Sequence, residues 1–197
     1  MKVNILMAAS AIVFAACSQS GWTEDEKSLV RDSGDVMRVL TINGLSDSLV
    51  LRKECSEIDI RDLKGDDYLT LASKMVATVT SPEQDGVGIA GPQVGISRRI
   101  VAVQRFDKAG EPFEVYPNIR ITALRGEKQL GPEGCLSIPG RRGDVARYRD
   151  IDIRYTSVKT LTDTTETITG FTSVIFQHEC DHLDGILYTD YLPKPAI

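Results

Sequence analysis

Hydrophobic and polar positions alternate with two different periods along this chain of 197 residues. Within residues 68–79 and again within 171–183, apolar side chains recur every three or four positions, which predicts two amphipathic helices, with Gly185 as the C-terminal stop of the second. Between them, β-branched and aromatic residues alternate or cluster between turn residues, which predicts antiparallel strands at 99–105, 113–121 and 145–155. The pattern therefore predicts an α+β fold in which antiparallel β-sheets pack around a C-terminal helix.

Composition limits the broad class of the protein. A chain that is 42% apolar and 26% charged is typical of one globular domain with a sizeable core. Its 23 basic and 28 acidic residues give a net charge of -5, which offers no general attraction for the phosphates of nucleic acids. We therefore expect no nucleic acid among its partners, and the sequence leaves the oligomeric state open.

The first seventeen residues carry the features of an export signal. Lys2 precedes an apolar stretch, residues 5–16, that is too short to span a bilayer comfortably, and Ala15 and Ala16 immediately precede Cys17. This ending resembles the lipobox of bacterial lipoproteins, and the resemblance implies that Cys17 carries the lipid. The alternative is an N-terminal helix that packs on the core.

The same interpretation divides the chain into three parts: a signal peptide at 1–16, a polar tether at 17–35 and a folded domain at 36–197. We expect the protein to be exported and lipid-anchored to a bacterial membrane, facing the periplasm or the exterior. The lipid anchor would be its only contact with the membrane. With Cys17 assigned to lipid, three cysteines remain, and an odd number leaves at least one thiol for a role other than a disulfide.

The second predicted helix contains an H-E-x-x-H sequence, from His178 to His182. Residues four apart lie about 40° apart on a helix face, so the two imidazoles can bind one metal ion, while Glu179 can act as the proton shuttle for a water activated there. A catalytic metal of this type needs a third protein ligand. Downstream there is no further Glu or His, and Tyr188 stands where a metzincin protease would place its third histidine.

An upstream candidate for the third ligand is Cys135, in the turn-rich segment Glu133-Gly134-Cys135-Leu136-Ser137. This segment, the sequence Gly-Val-Gly-Ile-Ala-Gly-Pro-Gln at 86–93, and the sequence around the two histidines resemble the three signature motifs of peptide deformylases. They occur in the family's order, and the resemblance covers roughly residues 36–192.

The resemblance implies a role for each matching residue. Cys135, His178 and His182 would hold one divalent metal ion, with Fe²⁺ preferred and Zn²⁺ or Ni²⁺ possible. Glu179 would be the general acid and base, and the Gln93 amide with the Leu136 backbone N–H would stabilise the oxyanion. The Gly88 backbone would contact substrate, and three apolar residues would accept the methionine side chain: Val87, Val174 and Ile175.

The resemblance implies a metal-dependent hydrolase that removes the formyl group from N-formylmethionyl peptides. Two alternatives remain at this point: an exported H-E-x-x-H metalloprotease, and a lipoprotein that binds formyl peptides without turnover. One departure from the family concerns the aim of Gln93. Gly91 stands where the family usually has alanine, and this residue would loosen the segment that carries Gln93.

Overall fold

The computed structural model describes residues 21–193, which form two antiparallel three-stranded sheets and four α-helices. The helices are α1 (Glu24–Asp32), α2 (Leu45–Leu51), α3 (Asp66–Val79) and α4 (Gly170–Leu183). The strands of the first sheet are β1 (Gly88–Ala90), β2 (Ile100–Gln104) and β3 (Phe113–Pro117). Those of the second are β4 (Arg120–Cys135), β5 (Ile138–Ser157) and β6 (Thr162–Thr169). The predicted α+β class is confirmed.

The C-terminal helix α4 lies at the centre of this arrangement. It contacts β1 and β2 of the first sheet and β5 of the second, so it closes the space between the two sheets. Phe176 is fully buried and packs edge-to-face on Tyr116 of β3. Gln177 fixes the helix on β5, because its side-chain amide exchanges two hydrogen bonds with the backbone of Tyr148. The helix that carries the H-E-x-x-H sequence is therefore packed against both sheets.

Two buried clusters fill the core. The first lies between α3 and the first sheet, and the second lies between the sheets and α4. The second cluster includes the thiols of Cys55 and Cys180, both buried and both free. Burial raises the pKa of Cys55 to about 12 and raises the pKa of Cys180 as well. These two thiols are therefore packing groups.

Residues 24–32, within the predicted polar tether at 17–35, form helix α1. Thr23 caps α1 through a capping box with Glu26, and Val30 of this helix is completely buried. Arg98 donates to both carboxylate oxygens of Glu26, at 2.6 and 2.7 Å. Because these contacts hold the segment on the domain, the folded part begins before residue 36. The predicted signal peptide and Cys17 lie outside the described residues.

The sheets are larger than the sequence pattern predicted. Strand β4 runs through a stretch, residues 120–135, of which only the start was expected to be extended, and β6 was not predicted. Cys135 is therefore the last residue of a strand, where a loop was expected. No helix within residues 21–193 is both long and apolar enough to cross a membrane.

Candidate metal centre and active site

The three predicted metal ligands come together although 47 residues separate the first from the last. The ligand atoms of Cys135, His178 and His182 all lie within 4.8 Å of one another, and Cys135 Sγ is 3.2 Å from His182 Nε2. The two imidazole rings are one helical turn apart on α4, with centroids 5.1 Å from each other. One soft sulfur and two imidazole nitrogens in this arrangement are a donor set for a divalent transition metal.

The predicted ligands come from two elements, β4 and α4. Cys135 ends β4 and pairs across a tight turn with Ile138 at the start of β5, which fixes the direction of the thiol. His178 Nδ1 lies 2.8 Å from the Glu133 carboxylate, so its Nε2 is left to face the cysteine. Glu133 is in turn bound by two nitrogens of Arg147, at 2.7 and 3.2 Å. A carboxylate behind a histidine ligand fixes its tautomer and orientation.

The network behind His178 continues to the surface. Arg147 also donates to Asp181 of α4 at 2.7 Å, and the Tyr191 hydroxyl donates to the same carboxylate at 3.2 Å. Arg147 therefore ties β5, β4 and α4 together behind the metal ligands. Neither Glu133 nor Arg147 was predicted to have a role in the site. Glu133 lies within a recognised motif, but no local signal distinguishes Arg147 from the other arginines.

The two histidines have opposite electrostatic surroundings. Burial alone would lower the pKa of His178, but its hydrogen bonds with Cys135 and Glu133 raise that pKa well above its ordinary value. Burial and the neighbouring charge of His178 lower the pKa of His182 well below its ordinary value. His182 Nδ1 has no hydrogen-bond partner among residues 21–193. Only one of the two imidazoles is thus oriented by a carboxylate.

Glu179 lies at the floor of the same site. Its side chain is 4% exposed, and burial raises the pKa of this carboxyl to about 7. A Cβ added at Gly88 would come within 2.5 Å of Glu179 Oε1, so only glycine lets β1 approach this carboxylate so closely. A carboxyl that titrates near neutral pH can both accept and return a proton.

Gln93 is rigidly aimed at the metal ligands. Its Oε1 accepts from the Ala90 backbone N–H, and its Nε2 lies 3.2 Å from Ser137 Oγ and 3.6 Å from Cys135 Sγ. Gly91 does not loosen this segment, contrary to the expectation from sequence. A Cβ there would lie 2.7 Å from the carbonyl oxygens of Ile96 and Arg98, so the backbone packs too tightly for any larger residue.

An open cleft of about 450 Å³ leads to these groups. The cleft is lined by every residue for which the sequence predicted a substrate or oxyanion contact: Val87, Gly88, Gln93, Leu136, Val174 and Ile175. Cys135, His178 and Glu179 also line it, whereas His182 is buried behind them. Among the lining residues that were not predicted are Arg141, Arg142 and Phe171. The roles predicted from the sequence remain predictions, but the residues to which they were assigned share one site.

Comparison with known proteins identifies the family. The sequence model of the polypeptide deformylase family matches residues 39–196. A peptide deformylase from Leptospira biflexa is 33% identical over 155 residues, covering 75% of this chain and 85% of that protein. Peptide deformylase 1 of Clostridium perfringens is 39% identical over 146 residues, covering 74% of this chain and 93% of the relative.

Solved structures agree with the sequence relatives. The structure of a class I type b peptide deformylase from Acinetobacter baumannii with Met-Ala-Ser bound has a TM-score of 0.71 and 33% identity, and it covers 80% of this chain and 98% of that one. The peptide deformylase of Thermotoga maritima has a TM-score of 0.68 and 29% identity, with coverages of 81% and 99%. The chain therefore belongs to the polypeptide deformylase family and is a metal-dependent hydrolase.

Proposed function

We propose that this enzyme removes the formyl group from N-formylmethionyl peptides and that it does so outside the cytoplasm. The observation that carries the first part is the placement of Glu179 and Gln93 in one cleft with the Cys135–His178–His182 group. The likeness to a structure that holds Met-Ala-Ser supports a peptide as the substrate, because that tripeptide is what formyl removal would leave.

The donor set fits a divalent transition metal. Cys135, His178 and His182 would hold the ion beside the cleft. We propose Fe²⁺ as the native ion, with Zn²⁺ and Ni²⁺ as ions that the same sulfur and nitrogen donors accept. When bound, the ion supplies Lewis acidity and activates water.

The side chains of the cleft supply the remaining chemistry of formamide hydrolysis. Glu179 takes the proton of the attacking water and gives it to the departing amine, for which its raised pKa is suited. The Gln93 side-chain amide and the Leu136 backbone N–H donate to the oxygen that becomes negative in the tetrahedral intermediate. Since Gln93 is already fixed by Ala90 and Ser137, it needs little reorganisation to do so.

The apolar wall of the cleft accepts the methionine side chain. Val87 and Val174 are half-buried, Ile175 is buried, and all three line the cleft beside Glu179. Burial of a methionine-sized side chain contributes about 1.5–3 kcal/mol to binding, which favours methionine over a polar residue at this position. The backbone of Gly88 at the edge of the first sheet is placed to pair with the extended peptide.

Export and lipid anchoring rest on the N-terminal sequence. Lys2, the apolar residues 5–16 and the cysteine at 17 support a lipoprotein signal, and α1 begins only seven residues after that cysteine. In this compartment the substrates would be released formyl peptides, because nascent chains are formed in the cytoplasm. This location distinguishes the proposed role from deformylation of nascent chains.

The deformylase activity is tested with formyl-Met-Ala-Ser and acetyl-Met-Ala-Ser, on protein purified without oxygen and with its metal content measured. We expect release of formate from the first peptide and no reaction of the second, because the two acyl groups differ in size and electrophilicity. Cleavage of an internal peptide bond would instead support a metalloprotease. Retained metal and bound peptide without turnover would support a binding protein.

The anchor is tested separately with Cys17→Ser, and Cys55→Ser is the matched control. We expect Cys17→Ser to abolish incorporation of labelled palmitate and to release the protein from the membrane fraction, with kcat unchanged. A Cys17→Ser protein that still incorporates palmitate would refute lipidation at this cysteine.

A further inference from the structure

Two adjacent arginines, Arg141 and Arg142, form a basic rim on the cleft. They follow Gly140 near the start of β5, both are exposed, and both line the cleft that contains Cys135. Neither has a carboxylate within 4.0 Å among residues 21–193, whereas on the same strand Arg147 is paired with two carboxylates and Arg154 with one. The rim therefore presents two guanidinium groups that no described carboxylate neutralises.

The other charges of the cleft leave this rim positive. Glu133 is bound by Arg147 and His178, and Glu179 is buried at the floor. Asp85, which immediately precedes Gly86, is the one exposed carboxylate in the cleft lining. This local excess of positive charge contrasts with the net charge of -5 for the whole chain. An anionic part of the substrate would be attracted to it.

The rim begins close to the predicted metal ligands, within reach of a short peptide. Arg142 is paired with Gly134, the neighbour of Cys135, so their Cα atoms lie about 5 Å apart across the strands. An extended peptide advances about 3.3–3.6 Å per residue, so three residues span about 10 Å. Long, flexible arginine side chains at this position can reach the end of a tripeptide whose formyl group lies beside Cys135.

The chemistry of the substrate defines which anion this is. A formyl group removes the charge of the N-terminal amine, so a released formyl peptide carries one obligatory backbone charge, its C-terminal carboxylate. Guanidinium groups bind carboxylates through paired, charge-assisted hydrogen bonds. We propose that Arg141 and Arg142 bind the free C-terminal carboxylate of short N-formyl peptides of about three residues, an inference that rests on the proposed deformylase function. Short released peptides are then preferred over the N-termini of long chains.

The test compares formyl-Met-Ala-Ser with the same peptide ending in a C-terminal amide, on the metal-loaded full chain. We expect KM to be about 5- to 10-fold higher for the amide, as for the loss of one charge-assisted contact at an exposed site, with kcat within about 2-fold. The difference should shrink as NaCl rises from 0.05 to about 0.5 M, because exposed charges are screened.

Variants assign the effect to residues. In the double variant Arg141→Gln with Arg142→Gln, KM for the free acid should rise to that of the amide. Arg154→Gln, on the same strand and outside the cleft, should keep the preference. Circular dichroism confirms that each variant is folded, which is expected since the rim side chains are exposed.

The outcomes separate this inference from the proposed function. Hydrolysis of both peptides with equal KM by the wild-type enzyme would overturn carboxylate recognition while leaving the deformylase function intact. A preference that survives in the double variant would also overturn it, because another group would then bind the carboxylate. Failure to hydrolyse either peptide would contradict the deformylase function itself.

Discussion

Arg147 and Arg98 are two buried arginines that each bind a carboxylate through two nitrogens, in different parts of the molecule. Arg147 holds Glu133, which contacts a predicted metal ligand, His178. Arg98 holds Glu26 of α1, and its guanidinium also lies over the ring of Trp22. The same bidentate chemistry therefore supports a predicted metal ligand in one region and holds helix α1 on the domain in the other. The role of each ion pair therefore depends on which group its carboxylate contacts or belongs to.

Helix α3 runs between the two regions. Arg31 of α1 binds the first turn of α3 at 2.8 Å. Val79, in the last turn of α3, lies beside the cleft residue Gly86, where an added Cβ would meet it at 2.9 Å. A helix of 14 residues is about 20 Å long, but α1 also has a shorter route to the cleft, because a Cβ added at Gly95 would meet Leu29 of α1 at 2.9 Å. We expect changes at α1 to leave the predicted metal ligands in place. The predictions below test this expectation.

The largest effect is expected from Cys135→Ala in the metal-centre region. Only the two histidines would remain as ligands, so we expect the bound metal to be lost and activity with it. Metal content by mass spectrometry after desalting measures the loss, with Cys180→Ala as the matched control that keeps its metal. A Cys135→Ala protein with full metal occupancy would show that another residue is the third ligand.

Glu179→Gln should reduce kcat by at least ~10²-fold while the metal stays bound, because the ligands survive and the proton transfer is lost. Steady-state kinetics with formyl-Met-Ala-Ser, together with metal analysis of the same sample, measures both effects. Turnover close to that of the wild-type enzyme would remove Glu179 from its assigned role.

Glu133→Gln should weaken metal affinity by about 10- to 100-fold, because the carboxylate that orients His178 loses its charge. Competition with a chelator measures the affinity directly, without reference to catalysis. If the affinity is unchanged, the network from Arg147 to His178 serves the packing of β4 and β5 alone.

Arg98→Met should lower the free energy of unfolding by about 2 kcal/mol and leave kcat and metal affinity unchanged, since it removes the hydrogen bonds that dock α1. Urea unfolding measures stability, and limited proteolysis reports whether α1 is released. A loss of metal affinity in this variant would show that the two regions are coupled.

The smallest expected effect is the pH dependence of the stability that Arg98 contributes. Burial raises the pKa of Glu26, but the hydrogen bonds from Arg98 and Thr23 outweigh it and place this pKa below its ordinary value of 4.5. A carboxyl whose pKa is lowered in the folded state stabilises the fold at pH values above its ordinary pKa. This contribution is lost as the pH falls through the folded-state pKa. The stability difference between wild-type and Arg98→Met proteins should therefore be smaller at pH 3 than at pH 7.

The sequence predicted the two amphipathic helices to within two residues at each end, because their buried faces repeat at the helical period. It missed most of β4, because Arg125, Glu127 and Lys128 are exposed and show no alternation. Pairing with β5 makes that stretch a strand. For α1, the signal was present in Thr23 and Glu26, three residues apart, but its docking on Arg98 depends on tertiary contacts 72 residues away.

For the site, the sequence predicted the ligands and Gln93 through motifs, and the structure brings these residues together. It could not identify Arg147, since the pairing of this side chain with both Glu133 and Asp181 exists only once β5 lies against α4. The sequence also could not predict the tight packing at Gly91. The carbonyl oxygens that an added Cβ would contact belong to residues that approach Gly91 only after the chain turns.

Because Cys55 and Cys180 are buried, Cys135 in the cleft can be labelled selectively by a thiol reagent. With pKa values raised far above neutrality, these two thiols hold almost no thiolate at pH 7 and lie out of reach of reagents in solution. Cys135 is partly exposed and opens into the cleft. An alkylating reagent applied to the metal-free protein would therefore mark Cys135 alone among the cysteines of residues 21–193, and its rate of labelling would report occupancy of the site by metal or peptide.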